Sequence, residues 1–287
     1  MLTAYRPIAL LLVLVAPACG EGTGSGSDDG PSAERIAAVA TARQQLGPPA
    51  ADLASAVSTV GTSILEVYAA GDDASGRLAA IDAIRDELLP RLRDGLEGAR
   101  AVELAADPSQ TQLIVAAWED LAASAAEVPE IAAEDLDLLQ RLLVAEVELL
   151  ELAEAWQTPG SRSDQIDHLD ATAASAADVE TTLTQLQPRA RCSRAVAHRL
   201  AAARHVAAAS AELRDLVAAQ RGEEFDARRA ELGQDPLGLA TTLAELDGED
   251  LACWEDQLPT SVAVAGVLTA ADRLEAALNP PDVTDPG

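Results

Sequence analysis

Residues 32–70 read SAERIAAVATARQQLGPPAADLASAVSTVGTSILEVYAA, an apolar pattern of helical period interrupted once by Gly-Pro-Pro. Ser32 is a residue type that caps helix N-termini. Ile36, Val39, Leu46, Leu53, Val57, Val60, Ile64 and Val67 fall on one heptad series, with Ala50 filling a gap. The register runs unbroken across Gly47-Pro48-Pro49. Two unrelated helices would keep such a register only by chance, so the pattern predicts one long helix, kinked at 47–49 and ended at Gly71. Arg43 falls on the apolar series, which makes it a candidate buried polar position in need of a partner.

The rest of the chain supports a helical protein. Hydrophobic residues make up 48% of it and aromatics only 2%, so the core must come from many close contacts of small side chains. Alanine, leucine, glutamate and arginine are strong helix formers. No alternating run suggests a strand. The expected fold is all-α: a long up-and-down bundle with kinked helices and several short C-terminal helices. The chain has no lysine and a formal net charge of -28. Such acidity argues against nucleic-acid binding, which needs a basic footprint, and against charge-driven docking on anionic lipid.

Further along, 71–76 reads as a turn, followed by a helix over about 75–106 with Pro90 as a kink or break. Asp107-Pro108 pairs an N-cap with proline at the first helical position. The helix it starts carries Leu113, Ile114, Ala117, Trp118, Leu121 and Val128. Pro129 is read as opening a separate, most apolar helix over about 130–156. The stretch 158–164 is the clearest loop and a possible subdomain boundary. Helices are expected over 164–186, from Pro188 to about Arg221, and over 223–232, 237–246 and 249–257. A last helix spans 260–278, capped by Thr260 and ended by Asn279-Pro280-Pro281. The bundle domain is thus 32–279, with a disordered tail over 280–287.

The N-terminus, MLTAYRPIALLLVLVAPACGEG, has a positive start, a short apolar core and small residues at its edge. It reads as an export signal over 1–18, too short for a permanent membrane span. Ala16-Pro17-Ala18-Cys19 resembles the lipobox of bacterial lipoprotein precursors. The family usually has leucine and then alanine or serine where this chain has Ala16 and Pro17. The resemblance implies that Cys19 is alkylated by diacylglycerol and becomes the first mature residue, anchoring the protein to the extracytoplasmic face of a bacterial membrane. Ala16-x-Ala18 also satisfies the ordinary secretory rule, so a secreted soluble protein is the alternative. Residues 19–31 form a flexible Gly/Ser/Asp tether. With Cys19 lipidated, Cys192 and Cys253 remain as an even pair. A disulfide is the default in an exported protein, with two buried thiols as the alternative.

Two helices hold the candidate sites. Over 130–156, Leu138, Leu139, Leu142, Leu143, Leu149, Leu150 and Ala153 form a broad apolar face with Glu146 in its middle. Such a carboxylate is either paired with an arginine or part of a ligand site. Over 188–213 the acidic chain turns basic, with five arginines, two histidines and one acid. Arg191, Arg194, His198 and His205 form a stripe opposite the core face, continuing to Glu212. Arg199 falls among the core residues. The stripe is either a polar face packed against acidic neighbours or a partner-binding surface. Residues 107–160 carry twelve acids and only Arg141, so acidic partners are plentiful.

Asp164 and His168 share a helix face, but no third ligand completes a metal site. No phosphate-binding glycine loop, nucleophile elbow or zinc-protease motif is present, and no cofactor is called for. The expectation is a non-catalytic, lipid-anchored binding or scaffold protein of the cell envelope, with a protein partner. A small-molecule or metal-binding bundle and a hydrolase of unrecognised type are the alternatives. The sequence specifies no oligomeric state.

Overall fold

The computed structural model describes residues 31–69, 74–157, 161–187, 193–238 and 258–281. They are all-α, with no strand among the described residues. The helices are α1 (Ala33–Ala69), α2 (Ala74–Ala83), α3 (Leu89–Arg100), α4 (Pro108–Glu154), α5 (Arg162–Leu186), α6 (Ser193–Ala218), α7 (Gly222–Leu232) and α8 (Pro259–Leu278).

The heptad argument holds for α1, which runs through Pro48 and Pro49 as one helix. Each proline removes an amide donor from the ladder, leaving the carbonyls of Gln44 and Gln45 without their usual partners. The apolar register compensates: Val39, Leu46, Leu53, Val57, Val60, Ile64 and Val67 are all buried. Ile36 departs from the expected series and is 42% exposed, because it lies in the first turn, at the open end of the bundle.

Pro90 neither breaks nor simply bends its helix. A π-helical turn, Ile84–Leu88, joins α2 to α3, and the Leu89 amide donates to the Ile84 carbonyl five residues back. The wider turn gives room to the proline ring, which would clash with the carbonyl four residues behind it. The helix ends at Arg100 rather than near 106.

Asp107 caps α4 as expected, its carboxylate accepting the Ser109 amide at 2.9 Å. That hydrogen bond holds the Asp107 carboxyl below its usual pKa. A lowered folded-state value stabilises above the unfolded value and is lost as pH falls through the folded one. Protection of the Ser109–Leu113 amides, taken relative to the intrinsic exchange rate at each pH, is therefore expected to fall on acidification, and Asp107→Ala should remove that fall.

Pro129 does not open a new helix. The 47 residues of α4 bend at Thr111 (φ −121°, ψ 15°), and the helix beyond runs through the buried Pro129 to Glu154, about 65 Å along its axis. The expected loop at 158–164 is also shorter. Ser161 caps α5 in a reciprocal box with Asp164.

The contacts set the helix directions. Arg43 meets Leu278 and Gly61 lies against Val264, so α1 and α8 are antiparallel. Asp120 meets Arg273 and Asp135 meets Thr260, so α4 and α8 are antiparallel too. The α2–α3 rod returns alongside α1, with Arg77 near Val67 and Ala105 near Gln45. These four rods form an up-and-down bundle around the first two thirds of α4.

The last third of α4 belongs to a second group. α5 and α6 pack antiparallel, tied by Arg204–Glu180 at 2.6 Å and Arg214–Asp170 at 3.4 Å. α6 runs parallel to α4, through Glu146–Arg199 and Trp156–Ser210. α8 then returns to the first group, so the contacts do not divide the chain at 158–164. One buried core runs through both groups.

α1, α4, α5, α6 and α8 have no basic residue in their last turns. Arginines from neighbours supply the missing charge at three of these ends. Arg43 Nε and Nη2 donate to the Leu278 carbonyl of α8 at 3.0 and 2.7 Å. Arg77 donates to the Val67 carbonyl of α1 at 2.7 Å, and Arg162 to the Val217 and Ala218 carbonyls of α6. A cation at a helix C-terminus satisfies orphan carbonyls and opposes the dipole.

Arg43 is therefore not buried. It is an exposed residue whose head group reaches across to α8. Arg43→Ala is expected to cost about 1 kcal/mol in urea unfolding, with faster amide exchange in the last turn of α8. An unchanged midpoint would refute the capping role.

Candidate functional site

Glu146 and Arg199 meet. Arg199 Nη2 donates to Glu146 Oε2 at 2.7 Å, with the side chains 15% and 25% exposed for arginine and glutamate. Of the two roles open to Glu146, the pairing with an arginine is the one its geometry fills. The broad apolar face of α4 explains the placement. Leu139, Leu142, Leu143, Leu149 and Ala153 are buried around it, and a carboxylate there needs a counter-charge.

The sequence reading missed a third polar position, Asp135. It is only 5% exposed. Its Oδ2 accepts the Thr260 amide at 2.8 Å and the Thr260 hydroxyl at 2.5 Å. Thr260 is thus not the cap of the last helix. The first residue before α8 is Leu258, which offers no side-chain cap, so the carboxylate comes from α4 instead. A negative charge at a helix N-terminus opposes the positive end of the dipole. α8 is consequently held at both ends by charges from other helices, Asp135 at its start and Arg43 at its finish.

The basic stripe is only partly within view. Arg191 and Cys192 lie outside the described residues, as do Cys19 and Cys253. Arg194 falls in the first turn of α6. His198 and His205 are half-buried. At Glu212, which stays exposed, the stripe meets the chain after α6 through a single arginine. Arg228 of α7 bonds Glu212 at 3.0 Å and Glu231 at 2.7 Å, which raises the Arg228 pKa.

Farther on, Gly238 sits against the His205 ring. It has φ +66°, and a Cβ there would lie 2.7 Å from His205 Nδ1. Both the backbone angle and the contact require glycine. The Nε2 atom of the same ring is buried without a hydrogen-bond partner among the described residues. From α7 to Gly238 the chain therefore runs back along α6, from the level of Glu212 to that of His205.

The Asp164–His168 pair serves structure. Asp164 completes the α5 capping box, and His168 Nε2 lies 3.2 Å from the Ala155 carbonyl at the end of the α4 rod. Among the described residues no cluster of three metal-ligating side chains occurs, and no helix is long and apolar enough to cross a membrane. Two shallow grooves are present. One, of about 450 Å³ between α4 and α5, has Glu148, Glu151 and Asp178 on its rim. The other, of about 430 Å³, opens between α1 and α8 beside Gly47, where a Cβ would meet nothing within 4 Å.

No protein family matches the chain, and neither does any curated protein or solved structure.

Proposed function

We propose that this is a lipid-anchored, extracytoplasmic scaffold protein that presents a helical surface to a protein partner at the cell envelope, without catalysis. The observation that carries the reading is the leader. An export signal ends at a lipobox-like Ala16-Pro17-Ala18-Cys19, followed by a core-free tether that leads into a helical domain.

Three features support it. The interior charges are spent on the fold: Glu146 is paired with Arg199, Asp135 holds α8, and Arg43 closes its other end. Those contacts weigh against a ligand site in the bundle. Cys192 and Cys253 are left as an even pair once Cys19 is lipidated, and in an exported protein such a pair forms a disulfide. Such a bond would stabilise by about 4 kcal/mol on the chain-entropy model. The basic stretch of sequence that holds Arg191 and Arg194 reverses the charge of an otherwise acidic chain and is the partner-binding candidate.

Mass spectrometry of the mature protein from its native membrane, after crosslinking, tests the whole reading. It is expected to show a lipid on Cys19, a Cys192–Cys253 linkage and a crosslinked envelope protein. An unmodified Cys19 at the mature N-terminus would remove the anchor. Recovery of an unchanged set of partners by Arg191→Glu/Arg194→Glu would remove the basic patch.

A further inference from the structure

We infer that the end of the first bundle from which the tether issues is a membrane-docking surface, with Ile36 and Leu113 resting against the headgroup region of the bilayer. The inference builds on the lipid-anchor reading above. Ile36, 42% exposed, and Leu113, 78% exposed, are large aliphatic side chains left in water. Each lies within two turns of its helix start, in α1 and α4, which begin at the same end.

The contacts fix their levels. Ile36 is seven residues outward from Arg43, which meets Leu278. Leu113 is seven residues outward from Asp120, which meets Arg273. Seven helical residues span about 10 Å, so Leu113 lies about level with the end of α8 and Ile36 about 7 Å farther out, on the side where the tether joins.

The length of the tether says what faces this surface. Eleven residues, 20–30, separate the anchored cysteine from the described chain, twelve Cα–Cα steps in all. Fully extended they reach about 40 Å, and as a flexible Gly/Ser-rich coil their root-mean-square span is about 20 Å. The bundle end is therefore held near the bilayer at an effective concentration in the millimolar range. At that concentration two aliphatic contacts suffice, although they would not recruit a free protein. The chain's net charge of -28 opposes anionic headgroups, so the contact is apolar and is strongest on a zwitterionic surface.

The test uses the mature chain from Cys19, ligated at its N-terminal cysteine to a diacyl thioester and placed in phosphatidylcholine vesicles. An environment-sensitive fluorescent amino acid replaces exposed Gln112 or, at the far end of α1, exposed Glu66. Brominated phosphatidylcholine is expected to quench the probe at 112 at least twofold and to leave the probe at 66 unchanged. Ile36→Ser/Leu113→Ser should reduce quenching at 112 to the level at 66 while the protein still floats with the vesicles.

Equal, weak quenching at both positions would overturn the inference, as would quenching that survives the double substitution. A concentration-dependent blue shift at 112 without vesicles would assign the surface to a second copy and overturn it as well. Synthetic ligation makes docking independent of native processing. Failure of the natural anchor shows only in mass spectrometry of the native protein, and failure of docking only in the quenching.

Discussion

Asp135→Ala is expected to lower the melting temperature by about 6–12 °C, from a loss of about 3 kcal/mol. The substitution removes a buried carboxylate that accepts two hydrogen bonds from Thr260. Bonds to a charged acceptor contribute about 1.5–3 kcal/mol, and the abandoned donors add their own desolvation penalty. The start of α8 also loses the charge that opposes its dipole. Asp135→Asn keeps one acceptor oxygen and should fall roughly halfway between alanine and wild type. Thr260→Val separates the hydroxyl bond from the rest. In the Asp135→Ala background it should cost much less than in the wild type, because the two side chains share one interaction. Local amide exchange over Thr260–Val264 should rise with the loss of stability. If Asp135→Ala shifts unfolding by less than 1 °C, the carboxylate does not hold α8.

Much of the fold was legible because the helical period carries information across local breaks. In α1 the apolar series outweighed Gly47-Pro48-Pro49. The same logic applies to α4 and would have corrected the reading at Pro129. Trp118, Leu121, Ala125, Val128, Ala132, Leu139, Leu142, Leu149 and Ala153 form one series with alternating steps of three and four. The proline rule is local, whereas register is cumulative, and in a buried helix packing along the whole face outweighs one missing donor.

That series also passes through Asp135 and Glu146. Glu146 was noticed because leucines surround it. Asp135 was not, because alanines and another acid, Glu134, flank it. The sequence therefore marked the polar exceptions without identifying their partners. Arg43 meets a carbonyl 235 residues away and Asp135 an amide 125 residues away. Caps of this kind obey no sequence spacing, unlike the Ser161–Asp164 box, which pairs residues three apart. The stripe on α6 was harder still. Helical geometry placed His198, His205 and Glu212 on one face, but only the path of the chain after α7 shows that part of this face is covered.

Breaking the Glu146–Arg199 pair from one side is expected to cost about 2 kcal/mol, a value below the 3–5 kcal/mol of a fully buried pair because both side chains keep some contact with water. Glu146→Leu removes the carboxylate from a guanidinium that is only 15% exposed beside the apolar face of α4. Arg199→Met strands the carboxylate, which has slightly more access to solvent, and should cost less. The double variant Glu146→Leu/Arg199→Met removes both charges and fills the space with aliphatic side chains. It should recover most of the loss, giving a coupling energy of about 1–2 kcal/mol in the cycle. This pattern separates the two roles open to Glu146. A structural pair predicts that the double variant folds with near wild-type stability. A ligand-binding carboxylate predicts a small-molecule-dependent rise in melting temperature that Glu146→Leu abolishes and the double variant does not restore. Additive single losses, with no recovery in the double variant, would show that the 2.7 Å contact contributes nothing and that Arg199 is stabilised by other neighbours.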